Sequence, residues 1–461
     1  MSTPGSARPT VWGDESEGVA AVLSWATSRV FRRSDPLTTA RPAAELEAAM
    51  GRTISDHGIG ADRALEIFKD VLVPATRSQD DPMNLAYVPS APTRSAAAFE
   101  LATSASNIFA GLWEVGAGAI HAENQVLAWI ASLLRWPETA GGVFVAGGTM
   151  GNLSALVAAR HTAEQRRLEA GLPKVPEGGW LLACTEEAHS SVRSNARVMG
   201  VDIVTVPGDE RGRLTGGELA TVLDREGSRV FAVTATAGTT NAGIVDDIAG
   251  VAAECRRRDV WLHVDGAYGG AGILAPSVAH LYRGIEDADS FIVDPHKWLF
   301  APYDACALLY RRPELARAAH RQTASYLDVA NQAEWNPADM AIHLSRRPRG
   351  LSLWFSLATH GTDRYRQAVE QCLTTARIVA EDIRSRPTLR LLSGPELSVL
   401  LFDRPGWTAE DYAAWSHEQA ISGQVLCIPT RWRGEPVLRM IFVNPGTDPV
   451  VVGKVLDTLA S

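Results

Sequence analysis

The chain is 461 residues long, enough for two or three folded units and a large buried core. Its 46% hydrophobic and 21% charged residues are the balance of an ordinary globular protein. The formal net charge of −9 argues against nonspecific nucleic-acid binding, which needs clustered Lys and Arg, but leaves room for a small anionic ligand held by local groups.

Residues 1–80 read as helical. Val19, Val22, Leu23, Trp25, Ala26 and Val30 recur at helical spacing between Glu17 and Phe31, and a second such run extends from Asp62 to Leu72. The opening MSTPGSARPT has no basic n-region or apolar h-region, and no uncharged apolar run approaches the ~20 residues of a membrane span. Residues 81–95 are Pro-rich and expected to be extended.

The middle of the chain alternates apolar, β-branched runs with helical stretches. Val143–Ala146 precedes a glycine turn and a helix over about 150–170, and Trp180–Cys184 precedes a helix near Ser190. Further strands follow at Ile203–Val206, Val230–Ala235, Trp261–Val264, Ser290–Val293 and Cys306–Tyr310. Continuous apolar strands alternating with helices predict a mainly parallel sheet covered on both faces, with ligands at the strands' carboxyl ends. After about 345 the texture shifts. A helical stretch from Leu351 to Arg384 is followed by strands at Leu389–Leu392, Leu397–Phe402, Val425–Ile428 and Val437–Val443, which predicts a smaller α+β unit with a largely antiparallel sheet. The expected division is a helical segment over 1–85, a large α/β domain over 86–340 and a small domain over 341–461. Cys184, Cys255, Cys306, Cys372 and Cys427 are dispersed, without CxxC or metal-type spacing, and read as reduced, mostly buried thiols in a cytoplasmic enzyme.

Five features at strand ends carry possible chemistry. Asp265, in His263-Val-Asp-Gly-Ala, can project a carboxylate beside small residues that leave room for a flat ring; a turn-capping Asp is the plain alternative. Lys297, in Asp294-Pro-His-Lys-Trp, is placed to form an imine if its neighbours lower its pKa; otherwise it is a solvated lysine. Gly147-Gly148-Thr149-Met-Gly-Asn links a strand to a helix and offers backbone N–H groups to a phosphate, though a plain glycine turn fits equally and no Walker motif follows. His189 follows the 180s strand and either stacks on a ring or caps a helix. Gly238-Thr-Thr-Asn offers hydroxyls or is simply a turn.

Each feature alone is ambiguous, but their order is specific. Together with Leu85-Ala-Tyr-Val-Pro, they make the chain from roughly Asp80 onward resemble the group II pyridoxal-phosphate-dependent amino-acid decarboxylases, of fold-type I. This family includes aromatic-amino-acid, glutamate and cysteine-sulfinate decarboxylases. The resemblance implies pyridoxal 5′-phosphate as cofactor, an L-amino acid as substrate, and an amine and CO2 as products. It implies a mainly parallel seven-stranded sheet and an intertwined homodimer with its active site at the interface. Residue by residue, Lys297 matches the Schiff-base lysine, Asp265 the partner of the pyridinium nitrogen, His189 the ring-stacking histidine and Ala267 the small residue under the opposite face. Gly148 and Thr149 match phosphate-binding positions, Thr240 the active-site threonine, and His296 the histidine before the lysine. No metal is implied.

Two departures stand out. Asp294 occupies a position usually held by Asn near the phosphate, where a carboxylate would repel a dianion unless protonated or turned away. An ungapped match also puts Trp335 where the family carries a proton-donating loop tyrosine; Tyr326 lies a little upstream. If no tyrosine reaches the site, either another group such as His189 donates the proton or the carbanion meets oxygen, and the resemblance then implies an aldehyde-forming synthase as the alternative activity; a non-catalytic relative of the fold is a remote third. Trp113 and Phe109 either line a substrate pocket or belong to the core. Glu114, if it faced the pocket, would disfavour an acidic substrate.

Overall fold

The computed structural model describes residues 16–32, 37, 40–322 and 335–459. Five helices precede the central sheet: α1 (Ser16–Phe31), α2 (Ala43–Met50), α3 (Ala61–Ile67), α4 (Arg94–Ser106) and α5 (Trp113–Leu133). The second expected helix is split, because α3 widens into a π turn over Phe68–Leu72. Residues 81–93 carry no helix, and α4 begins where the Thr93 hydroxyl accepts from the Ala96 amide.

Strands β1 (Gly141–Val145), β2 (Leu181–Cys184), β3 (Asp202–Thr205), β4 (Val230–Thr236), β5 (Trp261–Asp265), β6 (Ser290–Val293) and β7 (Cys306–Tyr310) form one sheet in the order β1-β7-β6-β5-β4-β2-β3. All run parallel except β7, which is antiparallel to both neighbours. The expected seven-stranded, mainly parallel sheet is therefore present. Helices α6 (Gly148–Glu169), α7 (Ser190–Met199) and α10 (Pro313–His320) cover one face; α5, α8 (Gly216–Glu226) and α9 (Ile248–Arg258) cover the other. Burial on both faces explains why the strands read as unbroken apolar runs. β3, at the sheet edge, is the exception, and its Asp202 is exposed.

Beyond the sheet, the helical stretch expected over Leu351–Arg384 is divided at Gly361, whose φ of +78° no α-helix accepts, into α11 (Leu351–His360) and α12 (Thr362–Ser385). A second, fully antiparallel sheet follows in the order β10-β11-β9-β8, from β8 (Arg390–Ser393), β9 (Val399–Asp403), β10 (Pro429–Trp432) and β11 (Glu435–Ile441). Helices α13 (Ala409–Ile421) and α14 (Pro449–Asp457) pack against it. The strand expected at Val425–Ile428 is instead an isolated bridge, Leu426 to Asn84, which ties this sheet to the 81–93 stretch; β10 starts at Pro429. All five cysteines are buried and free. No described helix is long and apolar enough to cross a membrane.

Candidate active site

Strand alternation decides which side chains meet. Along β5, Leu262 and Val264 enter the core under α5 and α9, so His263 and Asp265 face α6. On β6, Ser290 is register partner of His263, and Asp294, two residues past Ile292, emerges on the same face as Asp265. Helix α6 begins at Gly148, after Gly147 turns the chain with φ +93°. Four residues on, at the same helix face, Asn152 looks down on β5.

The result is a directed chain of hydrogen bonds beneath the site. Trp261 Nε1–H donates to Ser290 Oγ (2.8 Å), and Ser290 Oγ–H to His263 Nδ1 (2.9 Å). His263 Nε2–H then donates to Asn152 Oδ1 (2.7 Å), leaving Asn152 Nδ2 to donate to Asp265 Oδ2 (2.8 Å) and Ser191 Oγ (3.1 Å). Ser191 Oγ–H ends the chain on His189 Nδ1 (2.8 Å), which also accepts from the Ser191 amide as the cap of α7. Directions follow from the fixed donors, the indole and the amide NH2, with one proton for each hydroxyl and ring. They assign the His189 proton to Nε2. Burial pushes the His263 pKa down to about 4, against the pull of Asp265, so this ring is neutral. Asp265 Oδ1 accepts from the Ala267 amide (3.0 Å).

The other carboxylate sits differently. Asp294 Oδ2 lies 3.0 Å from Lys297 Nζ and accepts from the Gly148 amide at 3.2 Å. Burial alone would lower the Lys297 pKa, but Asp294 outweighs it and the net shift is upward. This corrects the expectation that neighbours lower it: the carboxylate three residues upstream stabilises the ammonium. His296, its pKa lowered chiefly by burial, stacks on Tyr303 at 4.7 Å and holds Nδ1 2.8 Å from the Ala305 carbonyl.

These groups surround a cavity of about 280 Å3 lined by Gly148, Thr149, His189, Asp265, Ala267, His296 and Lys297. Asn152, Ser191, Asp294, Tyr303 and Asp304 complete the wall. A larger groove of about 840 Å3, beside Arg29 and Arg94, contains none of them. Thr240, by contrast, lies outside the lining: it follows β4, and its carbonyl accepts from Arg439 Nη1. Phe109, Trp113 and Glu114 also lie outside it, with Glu114 exposed. Tyr326 falls outside the described residues.

Trp335 lies outside the described lining. Its ring fills the space beside Gly141, where a Cβ would lie 2.1 Å from the indole, and its Nε1 is buried. Gly141 opens β1 and the glycine turn follows its other end, roughly 13 Å away at strand rise. Sequence reasoning gave no role to Asn152, His263, Ser191 or Ser290. The available signal was spacing: Asn152 is four residues into α6 from Gly148, and His263 is two before Asp265.

Residues 46–404 match the family model described as the pyridoxal-dependent decarboxylase conserved domain. The chain belongs to that family. It is 30% identical over 379 residues to the aromatic-L-amino-acid decarboxylase of Bacillus atrophaeus, covering 80% of this chain and 77% of that one. It is 31% identical over 317 residues to the cysteine sulfinic acid decarboxylase of Rattus norvegicus, covering 67% and 64%. The fold matches that of a crystal structure of Oryza sativa TDC with PLP and tryptamine, at TM-score 0.86 and 22% identity over 100% of this chain and 98% of the other. This pyridoxal-phosphate-dependent carboxy-lyase therefore carries out amino-acid decarboxylation.

The decarboxylase's own cavity suits the cofactor. A Cβ at Gly148 would stand 3.1 Å from Asp294 Oδ2 and 3.2 Å from Ala267 Cβ, so the wall is open there only because residue 148 is glycine. An anchored carboxylate, a lysine and a helix N-terminus surround a space sized for a small flat ligand.

Proposed function

We propose that the decarboxylase acts on an L-amino acid in the cavity at the carboxyl ends of β1, β2, β5 and β6, with Lys297 as the residue that holds the cofactor. The supporting observation is the convergence of Lys297, Asp265, His189 and Gly148, from four strand ends, on one small cavity. When bound, pyridoxal phosphate supplies the electron sink that accepts the pair left behind as CO2 departs.

The chain's own residues do the rest. Asp265, clamped by Asn152 Nδ2 and the Ala267 amide, presents a fixed carboxylate to hold a proton on the ring nitrogen. His189, its Nδ1 already engaged, offers a ring face and an Nε2–H toward the cavity. Ala267 leaves the opposite face open, while Gly148 and Thr149 present the start of α6 to the phosphate, and His296 supports the lysine turn. Thr240 is proposed to approach from the end of β4. Lys297 must give up its proton before its amine can act, and Asp294 Oδ2, 3.0 Å away, is the group placed to steady that proton.

The described lining adds Asp294 and Asp304 but no arginine, which favours an uncharged or aromatic substrate side chain over an acidic one. Aldehyde formation remains the second reading, since it rests on the absence of a loop tyrosine at position 335, and a solved aldehyde synthase shares this fold. A cytoplasmic homodimer is proposed as well: α1 buries no residue and leaves Val19, Val22, Leu23 and Phe31 exposed, a face suited to a second copy. The decisive experiment screens the purified protein against the common L-amino acids for CO2 and amine while recording visible absorbance. Expected are a cofactor band and amine from a neutral or aromatic substrate, both abolished in Lys297→Ala. A band that survives this substitution would remove Lys297 from its role.

A further inference from the structure

Asp294 runs against the chemistry of the ligand proposed for its cavity. It is 2% exposed and cannot escape to water. Oδ2 occupies the Gly148 amide and pairs with Lys297 Nζ, while Oδ1 is buried without an N–H or O–H donor among the described residues and the Cys306 thiol is the carboxylate's hydrogen-bonding neighbour. The groups facing it offer little further relief. His296 Nε2 stands 3.8 Å from Oδ2 on a ring whose pKa burial lowers. From β7, the Cys306 thiol is held protonated, by burial first and then by Asp294 itself. Asp265 of β5 adds a like charge, and Tyr303 a phenol pushed up by burial. The described lining contains no arginine.

An anion thus already sits in the cradle. Resting on the assignment of Gly148 to the cofactor phosphate, we infer that Asp294 is a built-in competitor for that phosphate. It satisfies the start of α6 and neutralises Lys297 in the cofactor-free chain, and it must cede the Gly148 amide when the phosphate enters. The penalty falls on the phosphate alone. A ring without phosphate meets the same Lys297, Asp265 and His189 but has no charge to compete, so Asp294 selectively weakens retention of the phosphorylated cofactor.

The test uses the full-length chain freed of cofactor, titrated calorimetrically with pyridoxine 5′-phosphate and with pyridoxine. Both are alcohols that cannot condense with Lys297, so imine formation enters neither affinity. Asp294→Asn removes the charge while keeping size and an acceptor oxygen; Asp294→Ser serves if the first variant is poorly folded. The preference for the phosphate ester is expected to rise about tenfold, as like charges at hydrogen-bonding range would require even at a high effective dielectric. Pyridoxine affinity should stay nearly constant. A native preference for the ester that the substitutions leave within about threefold, or lower, overturns the inference alone. Equal affinities of both ligands for the native chain and for both variants would overturn the assignment of Gly148 and the inference with it.

Discussion

Asp265 and Asp294 end neighbouring parallel strands and leave the same face of the same sheet, yet their surroundings differ in kind. Asp265 accepts from two neutral N–H donors, one of them the terminus of a directed chain through Asn152, His263 and Ser290. Its position and lone pairs are settled before any ligand arrives. Asp294 shares one oxygen between an ammonium and a backbone amide and leaves the other without an N–H or O–H donor among the described residues. The first arrangement is built to stay, the second to be exchanged, and preorganisation belongs to the former.

Three experiments probe this contrast, beginning with the largest effect. Asp265→Asn should cut kcat roughly 100-fold or more, because an amide cannot stabilise charge on the ring nitrogen as a carboxylate does. A kcat within a few-fold of native would equate Asp265 with an ordinary structural residue. Asn152→Ala orphans His263 Nε2, Ser191 Oγ and Asp265 Oδ2 together. It should cost about 3 kcal/mol in unfolding free energy and lower kcat more than it raises KM. Urea denaturation and steady-state kinetics would check both, and a loss of stability with unchanged kcat would break the link between the buried chain and catalysis.

The third concerns pH. His263 has a folded pKa of about 4 against an ordinary value of 6.5, so the unfolded chain binds more protons between those limits. Its contribution is full above pH 6.5 and lost as pH falls toward 4, on the order of 3 kcal/mol. His320, also held down at about 4 by burial, adds a slope of the same sign. His263→Gln should therefore flatten, without abolishing, the decline of the urea midpoint between pH 6.5 and 4. An unchanged slope would mean the ring is not buried neutral.

Much of this was legible beforehand. The strands of the central sheet could be read because burial on both faces writes apolarity into every position, and Lys297, Asp265 and His189 because each follows such a run directly. What escaped were relations across elements. Nothing in the order of residues says that Asn152 of α6 spans His263 and Asp265 of β5, since the helix's rotation is set by packing. The sign of the Lys297 shift was missed for a similar reason: burial and Asp294 act oppositely, and only the 3.0 Å separation decides between them. The helical stretch expected over 351–384 is present, but its division at Gly361, set by a positive φ, was not read from the periodicity. Nor could the residue order say that the Trp335 ring fills the space beside Gly141.

The directed chain beneath the site has a consequence for how such a sequence can drift. Ser290, His263, Asn152 and Ser191 each pass on a single proton direction, so an exchange at any one that swaps donor for acceptor leaves a clash or a gap at the next. An isolated replacement along it would cost a hydrogen bond even where it fits by volume, and only a matched set would restore the chain. Four positions spread over 139 residues of chain, from 152 to 290, are therefore tied into one unit by proton direction.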